Sequence, residues 1–205
     1  MKQIEVTTYV SDTLEDASDK LTSQGFTLIR KSRVEDKYMI QDLSGLSSDN
    51  IIKFLQNCLL IRHVDVKENL NGDVGEFKNF TYKKKEYDGD IVLSEEKVSV
   101  KIDNSADLND AERLFLILNF KKLVEVNYDV VVFAKDGLEL CFQDVENLGL
   151  LLEYESLIDF DGATSKEIIS AKKKMLEEIR KYQLDVSDDY DVKKTYELVK
   201  KGRGL

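Results

Sequence analysis

Charged residues recur at alternate positions in several short stretches, the spacing that places side chains on one face of a β-strand. Glu153 and Glu155 share a face near the end of the chain's last strand-like run, so both could meet one metal ion. Lys83 and Lys85 share a face with Thr81, and Arg62 stands in an apolar run with a guanidinium fork to offer. Glu5, in the first strand-like run, could add a third carboxylate. Carboxylates are hard oxygen ligands for divalent cations. Fixed Lys and Arg donors suit phosphate oxygens, and Arg can grip them with two parallel bonds. Phosphoryl chemistry on such groups needs mainly positioning and charge stabilisation.

Each of these residues also has a plain structural reading. Glu153 and Glu155 fit the solvent face of an edge strand, and Lys83 to Lys85 in a KKKE run fit a solvated face. Asp144, before a turn, fits a cap or an Asx turn. Arg62, between Ile61 and Val64, fits a pair with a buried acid. Other chemistries are poorly served. His63, the only histidine, falls on the strand face opposite Arg62, and the chain shows no Ser-His-Asp set, no Cys-His arrangement and no Gly-rich phosphate loop. Cys58 and Cys141, each in an apolar stretch, read as buried reduced thiols. Two Cys and one His cannot complete a four-ligand zinc site.

The elements that must position these residues follow from pattern. Residues 4–10 are rich in β-branched side chains and read as a strand. Leu14, Ala17, Ser18 and Leu21 form a helical face over 13–24, with Gly25 as its stop. Residues 26–33 and 36–40 read as two short strands, and a helix follows Ser47. Residues 58–66, 77–87 and 91–102 read as strands, the last two joined by an Asp88-Gly89 turn. A helix is expected over 107–119 with Ala111, Leu114, Phe115 and Leu118 inward. A hairpin, 123–134 with 138–145, turns at 135–137, and 149–157 is the last strand. From Thr164 a long helix carries Ile168, Ile169, Met175, Leu176 and Ile179 as an apolar stripe, and a shorter helix covers 192–201.

The order is α+β, with about eight strands in hairpins and helices between them. Antiparallel strands this numerous often close to remove their edges. The 205 residues fit one domain, or one domain plus a tail, and 42 % hydrophobic with 34 % charged residues describes a globular chain. A net charge of −10 argues against a nucleic-acid binder, which needs a basic face. It leaves room for a small phosphate ligand in a locally basic cavity. No apolar run approaches the ~20 residues that span a bilayer, and the first residues lack the apolar core of a secretory signal. A cytoplasmic location with no membrane partner is therefore expected. Proline is absent, so turns rest on Gly, Asn and Asp.

Several segments together resemble the CYTH, or triphosphate tunnel, family, which includes class IV adenylate cyclases and thiamine triphosphatases. LELCFQDVENLGLLLEYE at 138–155 looks like the family's strand ending in Asp, its Val-acidic turn with Leu-Gly, and its closing Glu-x-Glu strand, with Asp144, Glu153 and Glu155 on those positions. FTYKKKEYDGDIV at 80–92 looks like the Thr-Tyr-Lys strand and turn. LLIRHV at 59–64 looks like the Arg-bearing strand, with Arg62 as the Arg, and DKYM at 36–39 like the Asp-x-Tyr strand. AERLFLILNFKKLVEV also fits, with Asn119 where a Gly is usual.

The resemblance implies an antiparallel β-barrel, or tunnel, of about eight strands over residues 1–160 with helices packed outside. Residues 161–205 then form a C-terminal helical extension, packed on the barrel or projecting from it. It implies a Mg²⁺ or Mn²⁺ cofactor held by Glu153, Glu155, Glu5 and Asp144. Arg62, Lys83 and Lys85 would hold the phosphates of a triphosphate-bearing small molecule. The reaction would be hydrolysis of a phosphoanhydride or cyclisation of ATP. A homodimer is left open. The family's opening Glu-x-Glu-x-Lys reads here Gln3-Ile4-Glu5-Val6-Thr7, and its later Lys-x-Arg reads Asn127-Tyr128-Asp129. These losses favour weak or absent turnover, and a rival reading in which the tunnel only binds an anion or serves as an interaction scaffold.

Overall fold

The computed structural model describes residues 4–89, 91–156 and 162–204. In chain order the elements are β1 (Glu5–Tyr9), α1 (Leu14–Ser23), β2 (Thr27–Ile40), α2 (Ile51–Leu55), β3 (Asn57–Asn69), β4 (Gly75–Asp88) and β5 (Ile91–Ile102). They continue as α3 (Leu108–Ile117), β6 (Lys121–Lys135), β7 (Leu138–Val145), β8 (Gly149–Glu155), α4 (Ser165–Arg180) and α5 (Lys194–Gly202). The eight strands form one sheet in the order β1-β8-β7-β6-β2-β3-β4-β5. Every adjacent pair is antiparallel. The fold is α+β, with the sheet curled into a half-barrel.

The alternation of side chains divides the interior in two. On the convex face Val6, Phe133, Leu140, Phe142 and Leu152 meet Ala17 and Leu21 of α1 and Ile168, Met175, Leu176 and Ile179 of α4. Both helices start on side-chain caps. Thr13 accepts from the Asp16 amide, and Thr164 with Glu167 forms a reciprocal capping box. On the concave face Val34, Tyr38, Leu60, Val64, Val126 and Tyr128 pack with Ile51 and Leu55 of α2 and with Val192 and Val199 around the start of α5. α5 lies against β6 and α2, so the C-terminal extension covers both faces: α4 outside, α5 over the concave side.

Two local expectations change. The two short strands over 26–40 are one strand, β2, the sheet's central member. It pairs with β3 on one side and β6 on the other, and its register shifts absorb the irregular stretch. Helix α3 buries none of its residues: Leu114 is 53 % and Leu118 57 % exposed. It rests on the sheet through Phe115, set edge-to-face against Phe80 and Phe120 at 5.2 and 5.6 Å. Apolar residues surround most of this short helix, and only one side has a layer to meet. Asn119 follows at φ 65, a left-handed turn that Asn tolerates and Gly would enter freely.

β1 and β5 are the two ends of the sheet, and among the described strand pairs they are not bonded to each other. The chain around Asp191 lies between them. It makes a parallel bridge with Thr7, with the Thr7 amide donating to Tyr190 O at 3.3 Å and the Val192 amide to Thr7 O at 2.9 Å. Toward β5 the Val92 amide donates to Asp191 Oδ2 at 3.1 Å. A piece of the extension thus spans the seam of the half-barrel.

Candidate functional site

The concave face encloses a cavity of about 320 Å³, lined from all eight strands except where α2 and the 191–195 segment close it. Cationic side chains dominate the lining. Arg30, Arg62, Lys83, Lys85, Lys97, Lys193 and Lys194 face it, against the carboxylates Glu5, Glu153 and Asp191. In a protein of net charge −10 this is a local reversal of sign.

The hairpin of β4 and β5 supplies a cluster. Register sets Lys83 opposite Lys97 and Lys85 opposite Glu95. Two lysines directly across a ladder repel, and Glu95 answers both. Its carboxylate lies 3.3 Å from Lys83 Nζ, 2.8 Å from Lys85 Nζ and 3.1 Å from Lys97 Nζ. Burial alone would raise the Glu95 carboxyl, but the three ammonium groups hold it well below the usual carboxylate range. Burial pushes the Lys83 ammonium down to about 8, with Lys85 and Lys97 adding to the drop against the pull of Glu95. Lys85 is also buried, yet Glu95 and Glu5 keep it above the ordinary lysine value.

Arg62 on β3 stands in register with Asp36 on β2. Its Nε and Nη2 each donate to an Asp36 carboxylate oxygen at 2.6 Å, and Tyr128 Oη donates to Asp36 Oδ2 at 3.1 Å. Asp36 is fully buried, and the Arg62 hydrogen bonds keep it ionised against its desolvation. The buried-acid reading of Arg62 and its place in the cavity wall both hold, because the side chain remains about a quarter exposed.

The carboxylates divide. Glu5 and Glu153 line the cavity. The charge of Glu153, followed by burial, raises the Glu5 carboxyl, while Lys194, Lys97 and Lys83 lower Glu153 against its burial. Glu155 pairs with Glu5 in register but is exposed at the end of β8 and is not part of the cavity lining. Asp144 is exposed and faces away, since its neighbour Gln143 takes the inward position on β7. Gln143 Nε2 donates to Glu153 Oε2 at 2.7 Å. Thr7 also lines the cavity, opposite Glu153 across the β1–β8 ladder. Gln3 lies outside the described residues.

Two inward carboxylates fit a Mg²⁺ or Mn²⁺ ion that completes its shell with water and phosphate oxygens, the usual way Mg²⁺ is held. Among the described residues, no group of three or more Asp, Glu, His or Cys side chains could hold an ion unaided.

Sequence reasoning missed Glu95, Lys97, Gln143 and Lys194. A register shift between Glu86 and Tyr87 sets Glu95 opposite Lys85 and Lys97 opposite Lys83, and straight counting from the turn would have put both on the other face. Nothing local marks Lys194, which reaches the cavity only through the docking of the C-terminal segment.

No family model matches the chain. A protein of Methanocaldococcus jannaschii named "Putative adenylate cyclase" is 28 % identical over 180 residues, which cover 87 % of each chain. Among solved structures, the PH1819 protein of Pyrococcus horikoshii aligns with a TM-score of 0.67 at 21 % identity, covering 97 % of this chain and 99 % of that one. A "putative adenylate cyclase" from Vibrio parahaemolyticus aligns with a TM-score of 0.60 at 10 % identity, covering 96 % and 97 %. The chain shares their fold over nearly its whole length. No described helix is long and apolar enough to cross a membrane.

Proposed function

We propose that this is a CYTH-like protein that binds a nucleoside triphosphate, or another organic or inorganic triphosphate, together with Mg²⁺ or Mn²⁺ in the concave cavity. One observation carries the reading: cations crowd a cavity inside an otherwise acidic protein. The sequence relative named as an adenylate cyclase agrees with it. Lys83 and Lys85 bind phosphate oxygens from the β4 side, held in place by Glu95. Arg62 adds a donor whose direction Asp36 fixes. Glu5 and Glu153 hold the divalent ion, which when bound neutralises phosphate charge and polarises a phosphoryl oxygen. The half-buried walls limit water around the anion and so strengthen each charge contact.

A second reading, binding without efficient turnover, has its own support. The inward position on β7 holds a neutral amide, Gln143, and the inward position opposite Glu153 holds Thr7. Neither supplies a charge to a transition state. Each missing charge-assisted bond, worth ~1.5–3 kcal/mol, lowers a rate by about tenfold to a few hundredfold if it acts mainly there.

The test is a panel of ATP, thiamine triphosphate and tripolyphosphate with Mg²⁺ and Mn²⁺. Binding is read by calorimetry and turnover by release of phosphate, pyrophosphate and cyclic nucleotide. Binding with little turnover is expected. Absence of binding for every triphosphate would overturn the proposal, and rapid turnover would overturn the second reading.

A further inference from the structure

Away from the cavity, the outer face of β4, β5 and α3 carries apolar side chains that no described element covers. Even-numbered positions on β4 and β5 point to the convex side, so Tyr82 faces Val98 and Phe80 faces Val100 across the ladder. α3 lies over this face. Phe115 anchors it on Phe80, and Glu112 turns toward Lys37 of β2 and Lys122 of β6, at 2.5 and 3.1 Å. Helical spacing then sets Leu114 and Leu118 on the opposite flank, toward β4 and β5, with Ile117 on the side away from the sheet. Ile117 is 75 % exposed, Leu114, Leu118, Val98 and Val100 are each more than half exposed, and Tyr82 is partly exposed.

These six side chains together expose roughly 600 Å² of apolar surface, the top of the range for the largest patch on a monomer. α3 is also short of support. None of its ten residues is buried, and a helix of that length without packing is marginal in water. β5, beside it, is an end of the sheet and is bonded, among the described strands, to β4 alone. A second copy of the chain suits what this surface offers. A two-fold contact sets a patch against itself, so the patch must be self-complementary. Here the centre is apolar and the charged border is balanced in sign: Lys84 stands opposite Glu96 in the ladder, and Arg113 Nη1 lies 3.4 Å from Asp110 on α3. A border of one sign would oppose its own copy, as the rest of a chain of net charge −10 does. Burying roughly 600 Å² of apolar surface per copy, with the border added, approaches the ~800 Å² per partner of a standard stable interface.

We propose that the chain forms a two-fold dimer through this face, with Ile117 of each copy entering the groove that α3 and β5 of the other form with Leu114, Leu118, Val98 and Val100. The contact gives α3 the burial that its own sheet does not provide. It lies on the convex side, so the residues that line the cavity take no part in it.

The experiment is sedimentation equilibrium on the full chain across the micromolar range, for wild type, Ile117→Glu, Val100→Glu and Leu70→Glu. The last changes an exposed leucine in the β3–β4 connection, outside the patch, and controls for added charge. Amide exchange is followed at Leu118, whose N–H donates to Leu114 O within α3, at low and high protein concentration. Circular dichroism checks that each variant folds. Wild type and Leu70→Glu should dimerise. Ile117→Glu and Val100→Glu should each weaken association by about a hundredfold or more, because the two-fold contact buries every introduced carboxylate twice. Exchange at Leu118 should slow as the wild-type concentration rises. A wild type that stays monomeric overturns the proposal and leaves the patch to a partner of another kind. A dimer that survives both patch substitutions in folded protein also overturns it, since that dimer uses a different face.

Discussion

Asp36 and Arg62 meet in register across β2 and β3, two hydrogen bonds of 2.6 Å joining a fully buried carboxylate to a guanidinium at the cavity wall. Removing Asp36 leaves the Arg62 guanidinium, about a quarter exposed at the cavity wall, without its partner. Asp36→Ala should cost about 3–5 kcal/mol, read as a lower midpoint in urea unfolding. A cost below about 1 kcal/mol would mean water reaches the pair. The sign with pH is set by the lowered Asp36 carboxyl. Its contribution is complete above the ordinary value of 3.8 and fades as pH falls through the lower folded value.

Lys83 gives the site a pH dependence on the alkaline side. Its ammonium, pushed down to about 8 by burial and the neighbouring lysines, is largely neutral at pH 9 in the free protein. An anion binds the charged form, so binding above pH 8 takes up a proton. Affinity for tripolyphosphate should fall by up to about tenfold per pH unit there. Lys83→Met should flatten that slope. Calorimetry in two buffers of different ionisation enthalpy checks the proton uptake directly.

Glu95 restrains three lysines that would otherwise attract anions more strongly. Glu95→Gln should lower stability, because Lys83 and Lys97 then face each other unscreened. It should also tighten tripolyphosphate binding severalfold at low salt, with a steeper salt dependence. Weaker binding in this variant would show that Glu95 chiefly positions the lysines.

Metal binding should separate the acidic residues by place. Glu5→Gln and Glu153→Gln should each weaken Mn²⁺ binding in the presence of tripolyphosphate. Asp144→Asn should leave it unchanged, since that side chain is exposed on the face away from Gln143. Equal Mn²⁺ affinity in all three variants would remove Glu5 and Glu153 from the metal's surroundings.

Hairpins were the legible part of this sequence. Residues 80–88 and 149–155 alternate, the first ending at an Asp88-Gly89 turn and the second opening on Gly149, so the side chains that share a face within each could be assigned by counting. The face of β7 was harder. Gln143 and Asp144 are adjacent, and only the pairing with β8 decides which one enters the cavity. α3 misled because its apolar periodicity is real while the layer that would bury it covers one side alone. Lys194 had no local mark, since a lysine at the start of an amphipathic helix normally faces water. Its environment is made by residues far away in sequence, Tyr128 and Gln143 among them.

The bridge between Thr7 and Asp191 also sets an order of events during synthesis. The first strand leaves the ribosome long before the residues that fasten its outer edge are made. Until then the half-barrel has an open side, and the strand that pairs with β1 among the described residues, β8, is made long after it. Contacts of such long sequence separation carry a large loop-closure cost and form late. A nascent chain stopped before Asp191 would hold all eight strands yet lack the segment that closes the chamber, so the cavity is completed after the sheet.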